Sequence, residues 1–381
     1  MHPIVIEPVR TRADVNAFLA LPDRVHADDP SYIAPLRPWV RRSLRPTNPA
    51  LKDAQLQLFL ARRGHVVVGR ISALVDPVHN RHHNELVCWF GFFDFEPDDA
   101  VGRALLHKAK EQAHAWGCTT LRGQRNISRM DDPGITVEGF DRAPPMLAPH
   151  QPPRVAALLE AEGFVKHHDL LAYEFELFDS AGAPTPLPEG LRVKSAELRL
   201  PGLEVRPLQR RHLYADLRRI YDVFDRSYRD VPGTAPLTWE QFLGLGIVML
   251  GFLNPKLVQI ATVHGAPVAF VICMPEFAEI LPAMGNRLTP RSALRGMRSA
   301  RHVRTAAIKL IGVVPEHRGS GIHARLIERA VKGIREAGYG RVDGSLIDER
   351  NGAMRAVVEG AGMHIYRRYR FFEQPVPAID G

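Results

Sequence analysis

The chain has 381 residues, 45% hydrophobic and 24% charged, which is typical of a soluble globular protein long enough for two domains. Its formal net charge of +8 suits a phosphate-rich cofactor, an anionic membrane surface or nucleic acid. No uncharged apolar run is long enough to span a membrane, and the N-terminus lacks a basic and then apolar signal segment. Three widely spaced cysteines, none paired at metal-site spacing, fit a reducing compartment, so we expect a cytoplasmic protein.

The first half of the chain predicts alternating strands and helices. Gly117 and Gly163 follow the two predicted helices, where glycine commonly ends a helix. The predicted elements are a hairpin over 56–76, a strand over 86–95, a helix over 100–116, a strand over 119–122, a helix over 155–162 and a strand over 170–175.

The second half predicts the same order of elements from different residues, which indicates an old duplication. A stretch rich in proline and glycine at 179–190 reads as a linker, so we expect domains at 1–184 and 185–381. The predicted elements are a hairpin over 257–274, a strand over 308–314, a helix over 322–337, a strand over 341–347, a helix over 353–359 and a strand over 365–372.

The first half also contains an additional proline-rich stretch at 124–153. This stretch is too long for an ordinary connection between elements. It is interpreted either as a functional loop or as a plain surface loop.

A short basic glycine loop follows the strand at 308–314. The sequence Arg318-Gly319-Ser320-Gly321-Ile322-His323 leads into a helix with a single apolar stripe. Glycines let the backbone approach a ligand closely, and the free N–H groups and dipole of a helix start attract negative charge. The loop therefore predicts a site for a pyrophosphate group.

At these residues the chain resembles the GNAT (Gcn5-related) superfamily of acyl-CoA-dependent N-acyltransferases. The loop resembles the family's cofactor motif, Val313-Val314-Pro315 resembles the strand leading into it, and Asn351 stands at the family's usual distance before the closing Gly362. The second half resembles the family along its whole length and the first half only in element order. The full layout is similar to bacterial tandem-GNAT proteins of largely unknown substrate.

The resemblance implies an α/β (α+β) protein with two tandem GNAT-like domains. Each would be a mixed, mostly antiparallel twisted sheet flanked by helices, and two central strands of the second would splay apart around pantetheine. An N–H group there would face the thioester oxygen. The residues that the resemblance implies for acetyl-CoA or acyl-CoA are Ile311, Gly312, Val313, Arg318, Gly319, Ser320, Gly321, Ile322, His323 and Asn351.

Two positions depart from the family pattern. His323 replaces the last small residue of the motif, so a ring stands where main chain usually approaches phosphate. Val358 replaces the tyrosine that many members use as a general acid, which leaves Tyr366, Tyr369, His323 or solvent for that task.

The amine must lose a proton before it attacks, so a base or a water chain is required. Asp348 and Glu349 end the strand after the cofactor helix and are the candidate bases, with Tyr366 as a further catalytic candidate. The alternative is that 348–351 is a turn whose Asn351 caps the next helix.

The corresponding position in the first half is acidic. Glu96, Asp98 and Asp99 stand where the glycines would be, and carboxylates there satisfy the helix start and repel a pyrophosphate. We therefore expect one cofactor per chain, held by the second half.

Three other clusters have both plain and functional interpretations. Residues 79–83 contain closely spaced histidines, interpreted as a solvated loop rather than a metal site, and no metal is expected. Residues 242–253 are a core helix or an acyl-chain slot. Arg291, Arg295, Arg298, Arg301 and Arg304 would form a basic stripe on a helix, with Leu294 and Met297 off that face. Such a helix is either solvated or rests on an anionic membrane; nucleic-acid binding is not expected.

The sequence thus predicts a cytoplasmic N-acyltransferase that transfers an acetyl or longer acyl group from acyl-CoA to a primary amine by direct attack. The acceptor is a small molecule or a lipid. One alternative is a ceramide-synthase-like enzyme that acylates a sphingoid amine at the membrane surface. Another is a non-catalytic CoA-binding or interaction module. The identity of the amine, the acyl length and the oligomeric state stay open at this point.

Overall fold

The computed structural model describes residues 2–128, 131–229, 237–247, 254–285 and 287–377. The chain forms two compact units, each built from non-contiguous segments. The first unit comprises Met1–Leu170, Ile280–Met297 and Arg367–Gly381. The second unit comprises Leu171–Glu279 and Arg298–Tyr366.

Both units mix strands and helices, as predicted. The strands are β1 (Ile4–Pro8), β2 (Gln55–Arg63), β3 (Val66–Val75), β4 (Val87–Phe95), β5 (Thr120–Gly123), β6 (Ile135–Glu138), β7 (Val165–Glu176), β8 (Leu203–Pro207), β9 (Val258–Val263), β10 (Ala266–Pro275), β11 (Thr305–Val313), β12 (Arg341–Asp343), β13 (Ile347–Asp348) and β14 (His364–Pro375). The helices are α1 (Arg12–Val25), α2 (Arg37–Ser43), α3 (Pro77–His83), α4 (Asp99–Ala115), α5 (Pro153–Ala161), α6 (Glu189–Glu197), α7 (Leu213–Tyr228), α8 (Trp239–Ile247), α9 (Leu281–Met284), α10 (Pro290–Ser299), α11 (Ile322–Glu336) and α12 (Gly352–Gly360).

The first unit is a sheet with the strand order β1-β2-β3-β4-β5-β14, in which β6 also pairs with β14. All these pairs are antiparallel except β4 with β5. Helix α4 packs on β3 because Val101, Leu105 and Ala109 form a buried stripe at helical spacing. The stripe joins Phe90 and Phe93 of β4 in the apolar core.

The second unit is a sheet with the strand order β7-β12-β11-β10-β9-β8, in which β13 also pairs with β7. Strands β11 and β12 pair in parallel, whereas β12 with β7 and the pairs from β11 to β8 are antiparallel. Helices α7 and α11 pack on β10. The predicted apolar stripe of α11 is buried as expected, at Ile322, Leu326, Ile327, Ala330, Val331 and Ile334. The predicted mixed, mostly antiparallel sheets flanked by helices are therefore confirmed.

The closing strands of the two sequence halves do not stay with their own halves. Arg367–Gly381 belongs to the first unit, where β14 pairs with β5, whereas the segment from Leu171 belongs to the second unit, where β7 pairs with β12. Both strands follow a short helix and a glycine, so the local pattern is the same for either sheet. The two compact units therefore do not coincide with the two halves of the sequence. The domain boundary between residues 184 and 185 stays a prediction from the sequence.

Candidate active site

A glycine loop joins β11 to α11 in the second unit. Gly319 and Gly321 have φ angles of 78° and 88°, in the left-handed region that glycine adopts without a steric penalty. Gly321 is the N-cap of α11, and a Cβ atom there would lie 3.2 Å from the carbonyl oxygen of Lys194. The two glycines therefore let the main chain turn tightly into the helix.

The main-chain N–H groups of this loop are available to a ligand. Within the described residues, the N–H groups of Gly319, Gly321 and His323 donate to no protein acceptor. The N–H of Ile322 reaches only the Ser320 hydroxyl oxygen, at 3.4 Å. These donors lie at the positive end of a 15-residue helix. The arrangement of these N–H donors fits a diphosphate group. Gly321 leaves the space at its Cα open, whereas any other residue would fill that space with its side chain.

Arg318 adds a positive charge beside the loop and ties the loop to α7. Its Nη2 atom donates to the carbonyl oxygen of Ser227 at 2.9 Å. The preceding helical turn is held as well, because Nη2 of Arg226 contacts both carboxylate oxygens of Glu316 at 3.0 Å. The guanidinium of Arg318 is thus oriented while its side chain stays exposed.

Strands β11 and β12 separate next to the loop. Their parallel pairing covers only three positions and ends at Ala307 with Asp343, whereas β11 continues to Val313. The N–H of Val314 donates to Val268 of β10, so Ile311 and Val313 direct their N–H and C=O groups away from β10. The predicted splayed strands are therefore present, with polar main chain along the opened edge.

Helix α7 comes close to this edge. The hydroxyl of Tyr228 donates to the carbonyl oxygen of Ile311 at 3.0 Å. Gly312 permits the approach, since a Cβ atom there would lie 2.6 Å from Oγ of Ser227 and 2.8 Å from Cε1 of Phe270. Ser227 and Tyr228 thus lie against the main chain of β11.

A buried polar cluster lies where the two strands separate. Asp343 is 3% exposed and accepts hydrogen bonds from the Tyr366 hydroxyl at 2.8 Å, the Ser345 hydroxyl at 2.8 Å and the Ser345 N–H at 3.1 Å. Tyr366 was a sequence candidate, whereas Asp343 and Ser345 were not. A carboxylate inside the apolar strand predicted over 341–347 was the available signal.

Lys309 brings a positive charge to the same cluster. It is the additional residue of a bulge in β11 opposite Ile272 and Cys273. Its Nζ atom lies 3.6 Å from Oε2 of Glu276 and 3.9 Å from Oδ1 of Asp343. The Lys309 side chain is only 15% exposed, so its charge is held among these carboxylates rather than in solvent.

The segment 348–351 forms the turn that the sequence offered as one alternative. Nε and Nη2 of Arg350 donate to the two carboxylate oxygens of Asp348, at 2.9 and 2.7 Å. The side-chain oxygen of Asn351 accepts the N–H of Met354 at 3.1 Å and thereby caps α12. Glu349 is half-buried. The catalytic roles of Asp348 and Glu349 and the cofactor role of Asn351 stay predictions.

The two departures from the family pattern have different surroundings. Burial, and then the charge of Lys194, lowers the pKa of His323, so its half-buried ring is neutral at pH 7. Val358 is buried in the apolar core of the second unit. Its position is therefore used for packing.

The corresponding strand separation in the first unit is filled by the protein itself. Pairing of β4 with β5 ends at Phe90 with Gly123. Beyond it, the Asn126 side-chain oxygen accepts the Phe92 N–H at 2.7 Å and that of Gln124 accepts the Phe93 N–H at 3.3 Å. Side-chain oxygens of the first unit thus accept hydrogen bonds from the main-chain N–H groups at its strand separation. The corresponding edge in the second unit is the open edge of β11.

The helix start in the first unit is also satisfied internally. The side chain of Asp98 caps α4 by accepting the N–H of Ala100 at 3.0 Å. Arg63 donates to the same carboxylate, at 2.5 Å. A carboxylate at this helix start would repel a pyrophosphate group, and one cofactor per chain stays a prediction.

The histidine-rich segment differs from its sequence interpretation. Residues 77–83 form α3 instead of a solvated loop, and His79 is buried with its Nε2 atom 3.2 Å from Oε2 of Glu85. Burial, and then the charge of Arg125, lowers the pKa of His79 to about 4. Among the described residues, no group of histidine, cysteine and carboxylate side chains could hold a metal ion.

The apolar segment 242–253 is described only in part. Helix α8 is described as far as Ile247, and the ring of Phe242 is buried between Trp239 and Phe224. Residues 248–253 lie outside the described residues. In the part of the chain that the structure covers, no helix has the length and apolarity to cross a membrane.

Comparison with known proteins gives two full-length relatives, and no family model matches the chain. The chain is 27% identical over 371 residues to Protein YghO of Escherichia coli (strain K12), covering 95% of this chain and 93% of the relative. It is 30% identical over 382 residues to the bacterial ceramide synthase of Caulobacter vibrioides (strain NA1000 / CB15N), covering 96% of each.

Two solved structures share the fold along the whole chain. One is a tandem GNAT protein from the clavulanic acid biosynthesis pathway, with a TM-score of 0.57, 17% identity, and coverage of 99% of this chain and 100% of the other. The other is a GCN5-related N-acetyltransferase from Sphaerobacter thermophilus, with a TM-score of 0.51, 17% identity, and coverage of 100% and 99%. At this identity the likeness concerns the fold alone.

Proposed function

The chain belongs to the GNAT superfamily, in one family with the Caulobacter vibrioides bacterial ceramide synthase, and on this basis we propose that it is an acyl-CoA-dependent N-acyltransferase. It would transfer an acetyl or longer acyl group to a primary amine by direct attack. The observation that carries the proposal is the open edge of β11, which leads into a loop where, among the described residues, the N–H groups of Gly319, Gly321 and His323 have no protein acceptor.

The opened edge of the second unit suits the arm of acyl-CoA. The loop from Arg318 to His323 would hold the diphosphate through main-chain N–H groups and the Arg318 charge. The outward N–H groups of Ile311 and Val313 and the C=O of Val313 would bond the pantetheine amides, while the C=O of Ile311 accepts the Tyr228 hydroxyl. One N–H donor at the thioester oxygen would stabilise the developing oxyanion by about 3 kcal/mol.

The cluster at the strand separation would handle the proton of the amine. Two buried carboxylates, Glu276 and Asp343, face Lys309, which favours a second cation such as an ammonium ion. We assign Tyr366 to a relay in which its oxygen takes a proton from the amine while its own proton passes to Asp343. The neutral amine then attacks the thioester carbon.

The departure of the CoA thiolate needs little from the protein. As the C–N bond forms, the C–S bond breaks and the thiolate leaves with the bonding electron pair. The new amide nitrogen releases its extra proton and the thiolate, whose thiol has a pKa of about 8.5, takes one up, with solvent carrying the proton between them and no dedicated acid. Val358 in place of the usual tyrosine is therefore compatible with turnover.

A lipid amine is the second candidate acceptor. The relative at 30% identity is named a ceramide synthase, and ceramides carry an acyl group on a sphingoid amine. In this version the enzyme works at the surface of an anionic membrane. A panel that compares sphinganine in mixed micelles with soluble primary amines distinguishes the two acceptor classes.

Release of free thiol from acetyl-CoA and from a long-chain acyl-CoA tests the proposal directly. The protein should release thiol only when an amine is present, and the product should be the amide by mass spectrometry. Binding of CoA without turnover of either acceptor class would instead identify the chain as a non-catalytic CoA-binding module.

A further inference from the structure

We propose that one exposed surface of the first unit docks on an anionic phospholipid membrane. The α10 surface consists of Arg287, Leu288, Arg291, Leu294, Arg295 and Met297. Leu288 is 62% exposed, Leu294 45% and Met297 57%. Three large apolar side chains thus project to solvent from one short segment that also carries three arginines.

The orientation of α10 is fixed by small residues on its inner face. Ser292 and Gly296 are buried, and a Cβ atom at Gly296 would lie 2.9 Å from Cγ of Met284. The Ser292 hydroxyl lies 2.8 Å from the carbonyl oxygen of Arg287 and accepts the N–H of Thr289 at 2.8 Å. The helix therefore packs through its small residues and presents its large ones outward.

This orientation corrects the sequence expectation. Leu294 and Met297 were expected on a different face from the arginines, whereas the structure exposes them beside Arg291 and Arg295. At 3.6 residues per turn, Leu294 lies between Met297 on one side and Arg291 on the other. The exposed face is thus apolar on one side and basic on the other, as in helices that lie in a membrane interface.

The charge of this segment is not balanced locally. Residues 287–304 contain six arginines and no aspartate or glutamate. Among the described residues, no carboxylate lies within 4 Å of the guanidinium groups of Arg287, Arg291 or Arg295. Guanidinium groups without an internal partner are complementary to phosphodiester headgroups, which they bind through paired hydrogen bonds.

The apolar side chains decide between a membrane and nucleic acid. A phosphate backbone would use the arginines, but it would leave Leu288, Leu294 and Met297 with no apolar surface to contact. The headgroup boundary of a bilayer offers phosphate and hydrocarbon side by side, so it matches both sets of side chains. We therefore assign the α10 surface to an anionic bilayer.

The inference rests on the proposed function for its purpose, which is to bring the enzyme to a lipid amine. The contact itself rests only on the exposed side chains of the first unit. The two are separable, because none of the six side chains belongs to the glycine loop, the open strand edge or the Tyr366 cluster.

Sedimentation with phospholipid vesicles tests the contact. The full-length protein should bind equimolar phosphatidylcholine and phosphatidylglycerol vesicles but not pure phosphatidylcholine, and salt should weaken binding. Arg291→Ala with Arg295→Ala should reduce the affinity by about 25-fold, since each arginine near an anionic surface contributes about fivefold. Leu294→Ser with Met297→Ser should reduce it by about tenfold. The matched controls are Arg12→Ala and Val66→Ser, which change exposed side chains of the same unit.

Three results would overturn the docking surface: no binding to anionic vesicles, equal losses in the control variants, or tighter binding to duplex DNA than to vesicles. CoA titration and thiol release with a soluble amine, measured on the same variants, separate this result from the proposed function. Normal turnover without vesicle binding removes only the docking surface. Vesicle binding without CoA binding removes the proposed function and leaves the contact standing.

Discussion

The hydroxyl of Tyr366 donates a 2.8 Å hydrogen bond to Oδ2 of Asp343, the last residue of β12 that pairs with β11. This bond places a titratable hydroxyl where the two strands separate. Tyr366→Phe and Asp343→Asn should therefore each lower kcat by about 10² or more, with little change in CoA affinity. Tyr214→Phe, at a tyrosine that is 68% exposed, is the control.

The pH profile distinguishes a proton relay from a structural bond at Tyr366. If Tyr366 relays a proton, kcat of the wild-type enzyme should rise with pH. In Tyr366→Phe this rise should be lost, because the amine is no longer connected to its proton acceptor. If the variant kept the wild-type profile and lost only thermal stability, the hydroxyl would be structural.

The glycine loop makes a second prediction. Gly319→Ala places a methyl group in open space but at a φ of 78°, where an L-residue costs about 1–2 kcal/mol. CoA affinity should fall by about 5- to 30-fold as the loop leaves its geometry. Gly352→Ala, which also meets open space but has no positive φ, should bind CoA as the wild type does. Equal affinities for all three proteins in calorimetry would remove the loop from the site.

Substitution of Asp348 tests the prediction, made from the sequence, that this residue is the general base. Both of its carboxylate oxygens accept hydrogen bonds from Arg350, so the side chain serves the turn at 348–351. Asp348→Asn should change kcat by less than about threefold and stability by about 1 kcal/mol or less. Glu349→Gln should behave similarly. A large loss of kcat at unchanged melting temperature in either variant would restore that residue as the base.

The filled crevice of the first unit predicts one CoA per chain. Asn126→Ala leaves the buried N–H of Phe92 without its acceptor and should cost about 1–3 kcal/mol of stability. The calorimetric stoichiometry should remain one. Gln57→Ala, whose amide bonds only the neighbouring Leu58 carbonyl, is the control for stability. A second CoA bound to the wild type would contradict the assignment.

Asp132 predicts a pH dependence of stability. Burial, and then the charges of Asp131 and Asp94, raise the pKa of Asp132 to about 7. In an unfolded chain the pKa of an aspartate is about 3.9. The folded state therefore binds more protons between these values, so its stability falls as pH rises through that window and stays low above it.

The substitution Asp132→Asn removes this titration and keeps the side-chain shape. Relative to wild type, the variant should be more stable at about pH 8 than at about pH 5 in urea unfolding. Asp53→Asn, at an exposed carboxyl, should show no such difference. A constant offset between Asp132→Asn and wild type at both pH values would show that burial does not perturb this carboxyl.

Local features of the fold were predictable because their signals are local. Helix α11 begins at the predicted residue, and the glycines after four predicted helices, Gly117, Gly163, Gly338 and Gly362, all have positive φ. The glycine loop and the separated strands follow from residues close together in the chain. Periodicity and turn chemistry suffice for such features.

Features that depend on distant partners were missed. The exchange of closing strands is not visible because β7 and β14 carry the same pattern and fit either sheet edge. The role of Asp343 depends on its contacts with Tyr366 and Lys309, which form only in the folded unit. On α10, the small Ser292 and Gly296 turn inward, so hydrophobicity alone assigns the wrong face.

Calorimetric titration of the purified protein with CoA measures whether the N–H groups between Arg318 and His323 hold a diphosphate. We expect one binding site per chain in the wild type and a strongly weakened site in Gly319→Ala and Arg318→Ala. An absence of CoA binding in the wild type, or binding that both variants retain in full, would contradict it.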